Sequence, residues 1–471
     1  MDCLSTRYVS CLVIAIALAM IPGPVPAATL YWSGNGSTQG GNGTWGTTNA
    51  NFGTATTGPY STVWNNTTNA ADTALFGGST ATVTLGADIT VRQLSFNNTV
   101  TVNGNGFTLT TGGASNLTVT AGGSVRATAG TISAPIVGSG GLTITNTAGP
   151  IALTSNSTYS GTTTITGGGR LNLGSNGANG SIGSSAGVDI GGTSIFAINR
   201  NNTATQGTHF PVISGAGRFI QQGSGTTVFT SVNTYTGTTT VSAGMLQMGD
   251  GGAVGSLGTS AAISVASGAT FAVNRSNTAN QLASSGGFRA ISGSGGFTQM
   301  GTGTTNLTIV NTYTGPTSVL AGTLNITGTL ANTAITVSSA ATLRGTGTTA
   351  GNVTFAAGSN FGFSAVAPLS VGGNVTFLDP ANFSIANIIG LDSSAAEGIY
   401  TLIAGNVDTT GLANLGASNA YDLGGGKTAY FQQGSLQVVV AVPEPSTLVS
   451  LGAIAAGGVM FYVRKRRRRR C

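Results

Sequence analysis

Residues 233–249 read NTYTGTTTVSAGMLQMG, and two further stretches repeat the pattern: NSTYSGTTTITGGGRLNLG at 156–174 and NTYTGPTSVLAGTLNI at 311–326. Tyr159, Tyr235 and Tyr313 are equivalent, 76 and 78 residues apart, and each is followed two positions on by a glycine, Gly161, Gly237 or Gly315. Thr163/Ile165, Thr239/Val241 and Thr317/Val319 then lie two apart. Beyond a Gly-containing turn, so do Leu171/Leu173, Leu246/Met248 and Leu324/Ile326. Period-two alternation of β-branched and aliphatic residues marks a strand with one buried face, and glycine supplies corners that other residues make only under strain. The likeness runs wider than the motif: AINRNNTATQ at 197–206 matches AVNRSNTANQ at 272–281, and SGAGRFI at 214–220 matches SGSGGFT at 292–298.

Successive units of short strands and sharp corners predict an all-β solenoid, a parallel β-helix in which each turn stacks on the last. With turns of about 20–25 residues, a unit holds three to four of them. The Asn-Thr-Tyr-Thr-Gly loop is expected at the same corner of every unit. Neutral Thr, Ser and Asn suit the solvent face of such a stack, where they form ladders without like-charge repulsion.

Composition agrees. Of 471 residues 76 are glycine, 6% are charged and 40% are hydrophobic. That excludes helical bundles and coiled coils, which are written in Ala, Leu, Glu, Lys and Arg, and the absence of a G-X-Y period excludes collagen. The net charge of +6 is terminal in origin: Arg464, Lys465, Arg466, Arg467, Arg468, Arg469 and Arg470 form one run, and the body between residues 29 and 441 has nine basic and nine acidic residues. A neutral body gives no basic face for nucleic acid. Cys3, Cys11 and Cys471 all lie in the terminal segments, so the body has no disulfide framework and no cysteine metal site.

Both ends read as addresses. Residues 1–28 have the form of a secretory signal peptide: Arg7, an apolar run Leu12–Ile21, helix-breaking Pro22 and Pro24, and small residues at Ala27 and Ala28, either of which can precede the cut. At the other end, residues 442–471 carry Pro443-Glu444-Pro445, the apolar stretch Leu448–Val463 and the arginine run. Such a stretch spans a membrane with its basic end in the cytoplasm. The expected division is a signal peptide at 1–28, an N-terminal cap and first turns at 29–137, repeated units at 138–339, closing turns at 340–441 and the tail at 442–471.

The tail resembles the PEP-CTERM sorting signal of Gram-negative bacteria through Pro443, Glu444 and Pro445, the apolar span and the basic end. The resemblance implies an exosortase-like membrane enzyme that removes the tail, and a link with exopolysaccharide and biofilm. The repeat resembles the autotransporter-associated β-strand repeat of secreted passenger domains, on the Asn, Tyr, Gly, Thr and paired aliphatics quoted above. It implies a right-handed parallel β-helix. An autotransporter's C-terminal outer-membrane barrel has no room in residues 340–441.

Catalytic patterns are thin. Gly183-Ser184-Ser185-Ala186-Gly187 matches a nucleophile elbow in form only, because a chain this rich in Gly and Ser produces such matches by composition. The body's single histidine, His209, would have to meet Ser185 to make a triad. Asp392 and Glu397 are the closest carboxylate pair, in a loop that reads as solvated surface. Trp32, Trp45 and Trp64 cluster near the N-terminus and either seal the open end of the core or stack sugar rings. Arg200 and Arg275 occupy matching positions and either form a basic stripe or pair with carboxylates or turn carbonyls. No cofactor is implied.

The reading is an exported structural or adhesive protein of the cell surface or extracellular matrix, held in the membrane before processing. Its expected partners are the secretion translocon, signal peptidase, an exosortase-like enzyme and exopolysaccharide. The alternative is a β-helix that binds or degrades polysaccharide.

Overall fold

The computed structural model describes residues 27–111, 117–120, 129–145, 149–257, 261–281, 287–434 and 436–442. The sorting motif Pro443-Glu444-Pro445, the basic run Arg464–Arg470 and all of the signal segment except Ala27 and Ala28 lie outside them. Among the described residues no helix is long and apolar enough to cross a membrane.

The protein is a parallel β-solenoid. One turn shows the construction: Val188–Ile190 falls in a ten-stranded sheet, Ile195–Arg200 in an eleven-stranded sheet and Ala204–Thr205 in a sixteen-stranded sheet, and Ile213–Gly215 returns to the first. These are faces one, two and three. On face one Thr163 pairs with Val188 and Val188 with Ile213, in parallel register. The alternate residues of each strand point inward and are fully buried, as in Thr163/Ile165, Val188/Ile190 and Leu171/Leu173. Burial at about 25 cal/mol per Å² of apolar surface makes this thin, continuous core the main stabilising term.

Turn length is not fixed. On face two the step from Ile263 to Ile291 is 28 residues, whereas on face three the step from Ile335 to Val353 is 18. The sequence unit does not correspond to a whole number of turns either. From Thr163 the chain passes Val188 and Ile213 on face one, and residues 234–236 add the next level there: Thr234 N–H donates to Ile213 O and Thr236 N–H to Gly215 O, both at 2.9 Å. Thr239 then lies on face two, between Phe219 and Ile263. The same walk from Thr239 through Ile263, Ile291 and residues 312–314 puts Thr317 on face three, between Phe297 and Ile335. Each unit is thus three turns plus one face. The expectation that the Tyr loop recurs at one corner is corrected: equivalent residues advance around the rod.

The two ends depart from the parallel pattern. Near the N-terminus Thr29–Trp32 pairs antiparallel with Ala50–Gly53, which pairs antiparallel with Thr62–Val63. Trp32, Trp45, Trp64, Phe52 and Phe76 are at most 1% exposed. Their rings meet edge-on or tilted, with centroids 5.1 Å apart for Trp45–Trp64, 5.4 Å for Trp32–Phe52 and 5.5 Å for Trp45–Phe76. At the other end Gly398–Val407, Leu436–Ala441, Lys427–Gln432 and Tyr421–Gly424 form an antiparallel closure.

Candidate functional site

The repeat motif is a buried hydrogen-bonding device. Tyr159, Tyr235 and Tyr313 are fully buried, and each hydroxyl lies 2.6–2.7 Å from the threonine four residues on, Thr163, Thr239 or Thr317. These threonines face inward with Ile165, Val241 and Val319, as their two-residue spacing implies. The buried phenol would otherwise carry an unpaired O–H, which costs about 1–3 kcal/mol. The chain of hydroxyls continues one turn later: Thr163 to Ser185 at 2.9 Å, and Thr317 to Thr333 at 2.8 Å. It ends on the motif glycine, where Ser185 donates to Gly161 O and Thr333 to Gly315 O. A Cβ on Gly161, Gly237 or Gly315 would come closer than 3.0 Å to the backbone of a glycine in the preceding turn, Gly141, Gly217 or Gly295. The glycine is therefore required by stacking rather than by its own torsion angles. Burial raises the ionisation of the Tyr159 and Tyr313 phenols above the ordinary value.

The motif asparagine does related work. Asn233 Oδ1 accepts Ile213 N–H at 2.9 Å and Gln206 Nε2 at 2.7 Å, and Asn311 Oδ1 accepts Ile291 N–H at 3.0 Å and Gln281 Nε2 at 2.7 Å. In the first copy Ser157 takes the role, accepting Ile136 N–H at 3.1 Å. Gln206 and Gln281 end the matched ten-residue segments of the sequence, which was the available signal for this network.

The same geometry gives Ser185, His209 and Asp392 structural partners. Ser185 is 4% exposed and its hydroxyl is engaged by Thr163, Gly161 O and Gly187 O. His209 instead accepts Thr205 N–H at Nδ1, 3.1 Å, and burial, with Arg200 nearby, lowers its protonation. Asp392 accepts the hydroxyl and backbone N–H of Ser394, which holds its carboxyl below the usual range. It shapes a turn. Among the described residues no cluster of His, Cys, Asp and Glu could hold a metal ion. A cleft of about 230 Å³ lies between residues 364–368 and Ile399–Thr401, and one of about 150 Å³ beside Arg344 and Phe363. Both are below the usual 300–1,000 Å³ of ligand pockets, and no carboxylate lines either.

Arg200 and Arg275 do not form a basic stripe. They are 4% and 5% exposed; Arg200 ends the face-two strand Ile195–Arg200 and Arg275 follows the face-three strand Thr270–Val273. Each ties its turn to the one before: Arg200 Nε donates to Asn202 Oδ1 and Nη1 to Gly180 O, and Arg275 Nε donates to Asn277 Oδ1 and Nη1 to Gly255 O, all within 2.9–3.1 Å. The three tryptophans present no open ring face, so a sugar-stacking platform made from them is also overturned.

Stretches of the solvent face are neutral, polar and periodic, broken by charge where Asp189 follows Thr164 and Arg344 follows Asn325. Thr298, Ser318, Thr336, Thr354 and Thr376 stand in register along face three. Asn280, Asn306 and Asn325 form another ladder, with Asn306 Nδ2 donating to Asn280 Oδ1 and Asn325 Nδ2 to Asn306 Oδ1. Thr118, Thr143 and Thr164 align on face one.

The fold and this surface define a class: repetitive parallel β-solenoids. The passenger-associated-transport-repeat model matches residues 219–248 and 297–326, two successive copies of the Tyr motif with the strands on either side. Over 252 residues the chain is 36% identical to the adhesin BmaC autotransporter of Brucella suis biovar 1 (strain 1330). That match covers 49% of this chain and 7% of the adhesin, so the chain spans less than a tenth of that relative's length. No solved structure matches the chain.

Proposed function

We propose that this chain is an exported, non-enzymatic adhesive rod of the cell surface or extracellular matrix. The observation that carries the reading is the passenger repeat itself, built into a stacked solenoid and matched by a protein described as an adhesin. The neutral polar ladders offer many weak hydrogen-bonding contacts, and linked weak contacts yield avidity without a single tight site. Because each unit advances by one face, every side of the rod carries some copy of the repeated surface. The right-handed winding belongs to the same proposal. So does the route: export through the translocon, removal of the leader by signal peptidase, a membrane-held precursor, and release or display by an exosortase-like enzyme acting at Pro443-Glu444-Pro445. The matrix partner is exopolysaccharide.

The test is to delete residues 442–471 in the producing bacterium and follow both the chain's location and attachment of the cells to one another. The proposal expects the chain to leave the surface-associated fraction and attachment to fall. Unchanged surface display without the tail would contradict the sorting step. Depolymerisation of exopolysaccharide by the purified chain, lost on substitution of a carboxylate, would contradict the non-enzymatic reading.

A further inference from the structure

The sequence leaves the leader's end open between Ala27 and Ala28. The structure treats the two residues differently. Thr73 N–H donates to Ala28 O at 2.9 Å, and Thr29 is in register with Thr73, so the first ladder of the solenoid begins at Ala28. On the same residue the backbone nitrogen donates to Asp72 Oδ1 at 2.7 Å. Asp72 is 8% exposed, and its other oxygen accepts Asn69 Nδ2 at 2.8 Å. Asp72 N–H in turn donates to Asn69 O, and Asn65 N–H to Asn69 Oδ1, so the loop that presents the carboxylate is itself tied. Among the described residues the carboxylate has these two neutral donors. A buried carboxylate supported by neutral groups alone bears a desolvation penalty that a cationic donor offsets.

We propose that the chain is cut between Ala27 and Ala28, and that the α-ammonium group so created is held by Asp72. This rests on the leader reading above. In the cut, water adds across the Ala27–Ala28 peptide bond under a signal peptidase. The carboxylate leaves with Ala27, and the amine remains on Ala28 and takes up a proton at neutral pH. The nitrogen already at 2.7 Å from Asp72 Oδ1 then becomes an ammonium, and a neutral hydrogen bond becomes an ion pair at the rim of the first turn. A cut one residue later would remove both the acceptor of Thr73 N–H and the donor to Asp72 Oδ1.

The sequence supplies an internal control. Lys427 is the body's single lysine, and its Nζ donates to Ser393 O and Ala395 O at the far end of the rod. The experiment expresses the full chain in an exporting Gram-negative host, recovers the processed protein and reads its N-terminus by mass. It then measures the labelling rate of the α-amine at neutral pH against that of Lys427. The expected N-terminus is Ala28, with an α-amine that labels at least about tenfold more slowly than in the Asp72→Asn variant, since one unit of raised pKa is tenfold less free amine. A chain beginning at Thr29 would overturn this inference and leave export intact. A chain that keeps residues 1–27 would overturn the leader reading with it. If Asp72→Asn does not yield folded protein, the wild-type rate decides: an α-amine labelling as fast as that of an unstructured Ala-Thr-Leu peptide refutes the ion pair.

Discussion

The N-terminal closure and the repeated middle solve one problem with different chemistry. Both enclose a core only a few side chains wide, in which polar backbone groups lie close to apolar ones. At residues 29–96 the space is filled by rings: Trp32, Trp45, Trp64, Phe52, Phe76 and Phe96 interlock, and the indole N–H groups of Trp32 and Trp64 reach Gly41 O and Thr90 O. At residues 156–326 it is crossed by hydroxyls and amides, with Tyr–Thr pairs, Asn–Gln pairs and a glycine that lets turns touch. The closure occurs once and is held by shape. The repeat occurs in series and is held by hydrogen bonds that fix register, because a buried polar group is tolerated only where its partner arrives. The difference teaches which parts of such a rod can be copied. A hydrogen-bonded motif carries its partners within its own unit, and the rings copied with it, Phe219–Tyr235 and Phe297–Tyr313, keep centroid distances of 6.2 and 6.3 Å, whereas the tryptophan cluster occurs once.

The largest expected effect strikes the closure. Phe76 touches Trp32, Trp45, Phe52 and Phe96, and Phe76→Ala should cost about 3–5 kcal/mol and let unfolding start from the N-terminal end. Denaturant unfolding together with hydrogen exchange along the rod checks both. Second comes the amide network: Asn233→Leu strands Ile213 N–H, while the Gln206 amide keeps Pro211 O, and one unpaired buried donor costs about 1–3 kcal/mol. Hydrogen exchange should show that loss confined to the turns beside face one, unlike the end-on fraying of Phe76→Ala.

A third effect separates the regions by pH. Tyr159 and Tyr313 ionise above the ordinary tyrosine range because they are buried. Folding therefore favours their protonated forms, and this contribution is fully present below about pH 10 and lost as pH rises further, by up to about 1.4 kcal/mol per pH unit for each phenol. Tyr159→Phe and Tyr313→Phe should each flatten that alkaline limb, which a ring substitution in the closure leaves unchanged. The smallest effect lies inside the closure. Trp45 Nε1 is buried without a partner, whereas Trp32 Nε1 donates to Gly41 O at 3.0 Å. Trp32→Phe should thus be more destabilising than Trp45→Phe by about 1–2 kcal/mol in thermal or denaturant unfolding.

The solenoid was legible because its evidence is local: two-residue alternation, a corner glycine and a repeat of 76–78 residues. The rotation by one face was not, since it depends on adding turns of unequal length, 18 residues here and 28 there, which the repeat spacing hides. The spacing of Thr163, Thr239 and Thr317 from the aliphatic two residues on put them on the inner face, but it did not show that each meets the buried tyrosine four residues before it. Of the two readings of Arg200 and Arg275, pairing with turn carbonyls is the one realised, through Gly180 O and Gly255 O, while Asn202 and Asn277 as acceptors had no signal in the sequence.

The proposed function is adhesion through repeated hydroxyl and amide ladders. It is tested most directly by the force needed to detach beads coated with the processed chain from exopolysaccharide-covered bacteria, measured against coating density at low and high salt. The expected force climbs steeply with density and changes little with salt, because hydroxyl and amide ladders dominate the proposed contact. A single saturable, salt-sensitive interaction abolished by one charge-removing substitution would contradict it.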